Sequence, residues 1–330
     1  MSFLHFPANF ANMKYFPLPI FFLMLGLAAN GQDIQSLRAS LMQYQFNALP
    51  LNPAYAGRLE ATSFEAFYYG SFASQQQVSR SAMVSLHGRG GTAQQLGWGG
   101  VLQFHSQEAY NDLNFRPSFS RIIRMDNGNL SFGASLGINY FDVDELLVVT
   151  DLTSSFWSFD GGAGAYWHNQ RSFVGLSMPN FFEKSLGQAE YNSGSLLRSR
   201  PINLHLGSLF RLNDDLYLKP TLLLSQAKIY GLPKSEAGPD YNLWSADVHT
   251  SVFVEGTYVI GLLAGYTKPD LGFEQTRLGV SATLLLGNFR LGYAIQYNNQ
   301  AKSAVSLPAS HTISAGYDFF ENPEEGRRVF

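Results

Sequence analysis

The feature that most limits what this chain can fold into is a strict two-residue alternation that recurs along most of its length. Between residues 130 and 140, Leu130, Phe132, Ala134, Leu136, Ile138 and Tyr140 fall on one face, and Ser131, Gly133, Ser135, Gly137 and Asn139 on the other. Successive side chains of a strand point to opposite faces, so such a segment is a strand with one apolar side and one small, polar side. Residues 289–297 repeat the split: Phe289, Leu291, Tyr293, Ile295 and Tyr297 oppose Arg290, Gly292, Ala294 and Gln296. The stretches 202–210, 244–254 and 278–284 follow the same rule. A soluble sandwich also alternates, but two features point towards lipid. The apolar faces often begin or end in Tyr, Trp or Phe, as membrane-interface girdles do, and the opposite face is small and polar.

Composition agrees with two unlike faces. Aromatic residues make up 15% of the 330 residues and Asp, Glu, Lys and Arg together 14%, where soluble domains carry about 25% charged residues. A mean hydropathy of −0.07 argues against a bundle of transmembrane helices, each of which needs about 20 consecutive apolar residues. The absence of cysteine excludes a disulfide framework, a thiolate zinc site and a cysteine nucleophile. A net charge of −3 gives no electrostatic footprint for nucleic acid.

Fourteen strand segments are expected, at 60–70, 78–87, 96–106, 111–123, 130–141, 157–168, 171–178, 200–212, 216–228, 244–255, 257–267, 272–286, 288–298 and 309–320. Tight turns at 126–128, 169–170, 213–215, Gly256 and Gly287 alternate with long links at 142–156, 179–199, 229–243 and 299–308. An even strand count with short turns on one side and longer loops on the other predicts an all-β protein, a transmembrane antiparallel outer-membrane β-barrel of about 14 strands, with both termini periplasmic. An open edge in hydrocarbon would leave N–H and C=O groups unpaired, so the strand at 311–320 is expected to pair with the first, near 60–69. The glycine-rich piece 88–100 and Pro117 fit the alternation less well.

Ahead of the strands, residues 16–29 are an apolar stretch preceded by Lys14 and followed by small residues, the layout of a secretory signal peptide. Met13 offers a second start, with Lys14 directly before the apolar core. The expected organisation is a signal peptide at 1–31, an N-terminal motif segment at 32–57, a barrel at 58–320 and a charged tail at 321–330. Ile34, Leu37, Leu41 and Tyr44 stand near helical spacing, which suggests a short amphipathic helix before Asn47. Asn52-Pro53 reads as a turn into the first strand. Such a lead-in would be a lumenal plug, a docking surface under the barrel, or a segment that only closes the seam.

The motif segment carries a family resemblance. Gln43-Tyr44-Gln45-Phe46-Asn47, followed by Asn52-Pro53-Ala54-Tyr55-Ala56-Gly57, resembles the N-terminal signature of the PorP/SprF family, membrane proteins of the type IX secretion system of Bacteroidetes. Leu130-Ser131-Phe132-Gly133, the glycine strand 160–166, the piece 173–180, the stretch 218–224 and the last strand are also similar to the family pattern, so the resemblance covers about residues 32–320. Two departures are Ala48, where the family usually has Pro, and a longer lead at 33–42. The resemblance implies a non-enzymatic component of the secretion and gliding machinery. Its implied partners are secreted, adhesin-like surface cargo and periplasmic secretion lipoproteins or a peptidoglycan-binding protein, in addition to outer-membrane lipid. On this view 179–199 and 229–243 are extracellular contact surfaces, and 32–57 and 321–330 periplasmic ones. The other reading is a porin or a transporter for hydrophobic compounds, because a wall of fourteen strands is wide enough to enclose a lumen.

No residues point to turnover chemistry. His105, His205 and His249 should face inward, as polar lumen side chains. Asp142, Asp144, Glu145 and Asp151 form an acidic loop without EF-hand spacing. Gly161-Gly162-Ala163-Gly164 lacks the following helix of a phosphate cradle, and glycines on strands permit curvature and close packing of lumen contents. No nucleophile elbow is read: Gly133-Ala134-Ser135-Leu136-Gly137 matches Gly-x-Ser-x-Gly in letters but lies within the continuous alternation of 130–140, without the strand-to-helix turn an elbow requires. No cofactor or metal is expected. Arg116, Arg211, Arg277 and Arg290 fall on inward or rim positions with Asp247, His249 and Asp318, and also Glu65 and Asp160. They are expected to form an interspersed ion-pair network that closes the bore.

Overall fold

The computed structural model describes residues 44–59, 61–73, 76–91, 95–107, 110–143, 155–186, 199–229, 241–270, 274–300 and 309–319. Its strands are β1 (Thr62–Ala73), β2 (Gln76–Gly90), β3 (Leu96–Gln107), β4 (Tyr110–Met125), β5 (Gly128–Val143), β6 (Ser155–His168), β7 (Ser172–Leu186), β8 (Ser199–Ser208), β9 (Phe210–Arg211), β10 (Leu216–Ile229), β11 (Tyr241–Val254), β12 (Tyr258–Pro269), β13 (Gln275–Leu286), β14 (Phe289–Gln300) and β15 (Ala309–Phe319). Strand β9 continues β8 in the same register against β10, with Thr221 opposite Gly207 and Tyr217 opposite Arg211. The fifteen strands therefore make fourteen staves of one antiparallel barrel. Closure is between β1 and β15, in register from Thr62↔Phe319 to Ser71↔Ser310.

Burial in this barrel is inverted relative to a soluble protein. Phe119, Phe132, Leu136, Leu262, Leu278 and Ile313 are exposed on the outer wall, whereas Ser, His, Asp and Arg side chains are buried on the inner one. On β11, Trp244 and Val248 face out while Ser245, Asp247, His249 and Ser251 face in. Only a lipid-facing wall lets large apolar side chains remain on the outside of a stable β-sheet. Aromatic residues mark both rims. Tyr140 and Trp157 meet at 5.0 Å near the long-link end, and Phe289, Tyr317 and Phe319 cluster at 4.5 Å near the short-turn end.

The strand positions follow the alternation closely, with one substantial extension. Residues 179–186, read from sequence as part of a link, belong to β7. Ala163 pairs with Met178 and Gly161 with Phe182, so β7 spends three residues where β6 spends one. Two extra residues make a bulge that preserves facing, and Pro179 sits in it, one of the few sheet positions where a missing N–H is tolerated. The β7–β8 ladder ends at Ser177↔Asn203. Continued in that register it would set Pro179 opposite Pro201, and neither residue can donate. The rest of the proposed outer contact surfaces, 187–198 and 230–240, and the expected signal peptide, lead helix and tail lie outside the described residues.

The inward charges pair along the wall and do not span the bore. Arg116 bonds Asp160 at 2.7 Å, Arg277 bonds Asp247 at 2.7 Å, and Arg290 bonds Asp318. The first two link strands that are not neighbours, and in each a glycine lies on the strand between. Gly137 is under the Asp160 carboxylate, and Gly265, paired with both Asp247 and Arg277, is under that bridge. A Cβ on either glycine would collide with the carboxylate. Among the described residues the expected network is thus three separate bridges, two of which reach across a middle stave while Arg290 and Asp318 join neighbouring ones. Arg211 is no part of it: the stave breaks at Leu209, and Arg211 lies beyond on β9, half-exposed beside the short turn and bonded to Asp214. His249 makes no ion pair either, its Nδ1 lying 3.4 Å from Ser251 Oγ.

Removing one partner of a buried pair leaves the other charge uncompensated, at about 3–5 kcal/mol, while an apolar pair in its place costs far less. Asp247→Ala should therefore lower the urea midpoint of barrel unfolding strongly, and Asp247→Leu with Arg277→Met much less. Gly265→Ala should resemble Asp247→Ala although it removes no charge. Equal midpoints for Gly265→Ala and the native protein would show that the glycine does not matter to the bridge.

Candidate functional site

Residues 44–58 lie inside the barrel, in the half nearest the short turns, as a self-folded loop. Two asparagines shape it. Asn47 Oδ1 accepts the Leu49 N–H at 2.9 Å, and Asn52 Oδ1 accepts the Ala54 N–H at 2.9 Å, so each side chain substitutes for a backbone turn. The Ala48 carbonyl accepts from Leu51 and Asn52 at 3.0 and 2.9 Å. After Asn52, Pro53–Tyr55 form one 3-10 turn with proline at its start, where its fixed φ fits and its missing N–H is not needed. The Tyr55 hydroxyl then donates to the Phe46 carbonyl at 2.9 Å and clasps the two ends of the loop together. Gly57 has φ +69, a left-handed value that glycine adopts without strain.

The wall grips this loop largely by its backbone. Lys219 Nζ donates to the Gln45 carbonyl at 3.0 Å, Ser177 Oγ to Leu51 at 2.7 Å and Ser120 Oγ to Ala56 at 2.7 Å. Arg89 donates to the carbonyls of both Gly57 and Arg58. In the other direction Asn52 Nδ2 reaches the Ala165 and Leu176 carbonyls of β6 and β7 at 3.0 and 3.4 Å, and Asn47 Nδ2 reaches Ser85 Oγ at 2.5 Å. Ser251 Oγ donates to the Gln45 side chain.

Apolar contacts complete the seat. Tyr55 is 3% exposed, edge-on to His87 at 5.3 Å and to Tyr166 at 5.5 Å, within a cluster that holds Ala48, Leu49, Ala54 and Ala56 against Phe67, Met83, Val101 and Phe173. Phe46 packs on Tyr217, Phe253, Val259 and Leu285. Tyr44 stands edge-on to His205 at 5.0 Å, and burial raises its phenol well above the usual range. The floor is glycine. Cβ atoms on Gly97, Gly133 and Gly164 would run into Ala56, Ala54 and Asn52 respectively.

Of the residues singled out in the sequence, Tyr44, Phe46, Asn47 and the run Asn52 to Gly57 are brought together here, while Gln43 lies outside the described residues. Arg116, Asp247, Arg277, Arg290 and Asp318 are on the wall in their ion pairs, with Asp247 and Arg277 near enough to the Tyr44 hydroxyl to act on it electrostatically. Sequence reading missed the receiving residues Arg89, Ser120, Ser177 and Lys219. Their one visible signal was the broken alternation at 88–100, where inward side chains are reduced to glycine. Among the described residues no group of three His, Asp or Glu side chains is placed to hold a metal ion.

A closed, lipid-facing barrel with residues 44–58 seated against its inner wall defines an outer-membrane β-barrel protein with an N-terminal lumenal loop. The family model of type IX secretion system membrane proteins PorP/SprF matches residues 34–317, and the chain belongs to that family. No curated protein sequence matches it. Among solved structures, the CymD monoaromatic hydrocarbon channel superposes with a TM-score of 0.56 at 14% identity, over 90% of this chain and 95% of that one. A FadL homologue from Pseudomonas aeruginosa gives 0.52 at 12% identity, over 89% and 99%. These likenesses establish the barrel fold.

If the glycine floor seats the loop, Gly164→Val should leave heat-modifiable barrel migration intact and expose residues 44–58 to protease. Tyr55→Phe should ease opening of the loop by about 1–2 kcal/mol, for the lost hydrogen bond to the Phe46 carbonyl and the longer one accepted from Arg58, and Tyr55→Ala by about 3–5 kcal/mol, for a vacated aromatic site. Native-state proteolysis across the series measures both, and equal protection in all three variants would refute the seating.

Proposed function

We propose that the protein is a non-enzymatic outer-membrane component of type IX secretion and gliding, which binds adhesin-like cargo and periplasmic partners of the secretion machine. The observation that carries this reading is where the family signature sits. Tyr44 to Gly57 is spent on filling the lumen, not on lining an open path. A permanently open porin has no use for a segment fastened by five wall-to-carbonyl hydrogen bonds. Family membership supports the secretion role, and the buried ion pairs fit a braced scaffold without a reactive centre.

In this reading the short-turn end, where β1 begins and β15 ends, faces the periplasm. The segment before Tyr44 and the tail after Phe319 are then available to secretion-ring lipoproteins or a peptidoglycan-binding protein. The links at 187–198 and 230–240 face outward towards cargo.

Purification from native membranes followed by mass spectrometry should recover a large secreted adhesin-like protein or a secretion-system lipoprotein, and recovery of neither would sink the reading. Tyr55→Ala should reduce partner recovery or cargo secretion more than it reduces barrel insertion. In planar bilayers the purified native protein should show no steady open pore. A stable conductance would favour the channel alternative.

A further inference from the structure

The plug and the wall are separate structures. The β1–β15 ladder closes through ten paired positions without any residue of 44–58 taking part. The loop adds no strand to the sheet. Its shape comes from bonds within itself, namely the Asn47 and Asn52 turns and the Tyr55 clasp to Phe46. The wall binds it with side chains on four different staves, Arg89 of β2, Ser120 of β4, Ser177 of β7 and Lys219 of β10, aimed mostly at carbonyls that any peptide of that shape would present. The glycine floor admits backbone where a side chain on the wall would exclude it. A ligand already folded into its bound shape loses little freedom on binding.

We infer that the short-turn half of the lumen is a peptide-binding site, and that residues 44–58 occupy it as a ligand that can be cut from β1 and exchanged for a free peptide of the same sequence. The covalent link to β1 raises the local concentration of this ligand but supplies none of the contacts. The inference does not depend on the secretion role, since it concerns how the barrel holds a peptide and not which partner it serves.

The test uses the full chain with a protease site inserted between Arg58 and Thr62. The assembled protein is cleaved, then mixed with a fluorescent synthetic peptide of residues 44–58, and anisotropy is recorded. The cleaved barrel should keep heat-modifiable migration and take up the label saturably, while the uncleaved protein takes up none. A peptide carrying Asn52→Ala and Tyr55→Ala should bind at least about 1,000-fold more weakly, about tenfold for the lost asparagine anchor and at least about 100-fold for the vacated tyrosine site. Gly164→Val in the cleaved barrel should abolish uptake.

Three results would overturn the inference. Loss of heat-modifiable migration on cleavage would make the segment part of the barrel's own fold. A cleaved, folded barrel that never takes up label would mean a segment that does not exchange. Equal binding of the doubly substituted peptide would reduce the uptake to non-specific adsorption.

Discussion

The whole structure depends on one requirement, that backbone N–H and C=O groups exposed to hydrocarbon must find partners within the protein. Unpaired, each costs several kcal/mol. A sheet satisfies this only if its first and last strands meet, and the β1–β15 ladder does so. Once closed, the sheet has an outside that must match lipid and an inside that must not be empty. The outer face is met cheaply, by placing large apolar residues at alternate positions. The inside is harder, because polar groups turned inward are withdrawn from bulk water and need partners of their own.

The chain meets that second demand in two ways. Charges are matched across a three-strand span, with a glycine beneath to let the side chains reach each other, as in Asp247, Gly265 and Arg277. Two such pairs tie β4 to β6 and β11 to β13, each a stave to its second neighbour. Elsewhere the inward groups are matched to a foreign backbone, that of the plug, whose carbonyls accept from Ser, Lys and Arg of the wall. Glycine serves both arrangements for one reason. Where a second layer must approach the sheet closely, the Cβ is the first atom in its way.

This explains why the strands were legible in the sequence and the site only half so. Alternation over 130–140 and 289–297 reports facing directly, since the period of a strand is two. Parity could place Arg211 and Arg277 on the same inner face, but it carries no depth. Only the break at Leu209 shows that Arg211 stands beyond the lumen. Pro179 reads as a loop residue because a bulge with two extra residues restores facing without leaving any period in the sequence. The plug's receptors were invisible for a further reason. Asn52 is bonded to Ala165 and Leu176, 113 and 124 residues away, and nothing local records such a meeting. The one local trace was negative. Gly97 and Gly99 interrupt the pattern of β3 because the loop occupies the space their side chains would take.

Closure and plugging are therefore separable in physical terms. The ladder could form with the lumen wet, since water can satisfy inward serines and arginines, whereas the loop cannot be seated until Ser120, Ser177 and Lys219 stand on a finished wall. The dependence runs one way: the loop takes its seat from the paired wall, while the closing ladder takes nothing from the loop. Opening the ladder costs backbone bonds in hydrocarbon, while releasing the loop breaks no ladder bond: it exchanges the loop's hydrogen bonds to the wall for bonds to water and exposes the apolar side chains seated there, Tyr55 and Phe46 among them. Among the described residues the loop is thus held in the lumen by side-chain contacts alone and the barrel by its backbone ladder, so the two rest on different kinds of interaction although they share one wall.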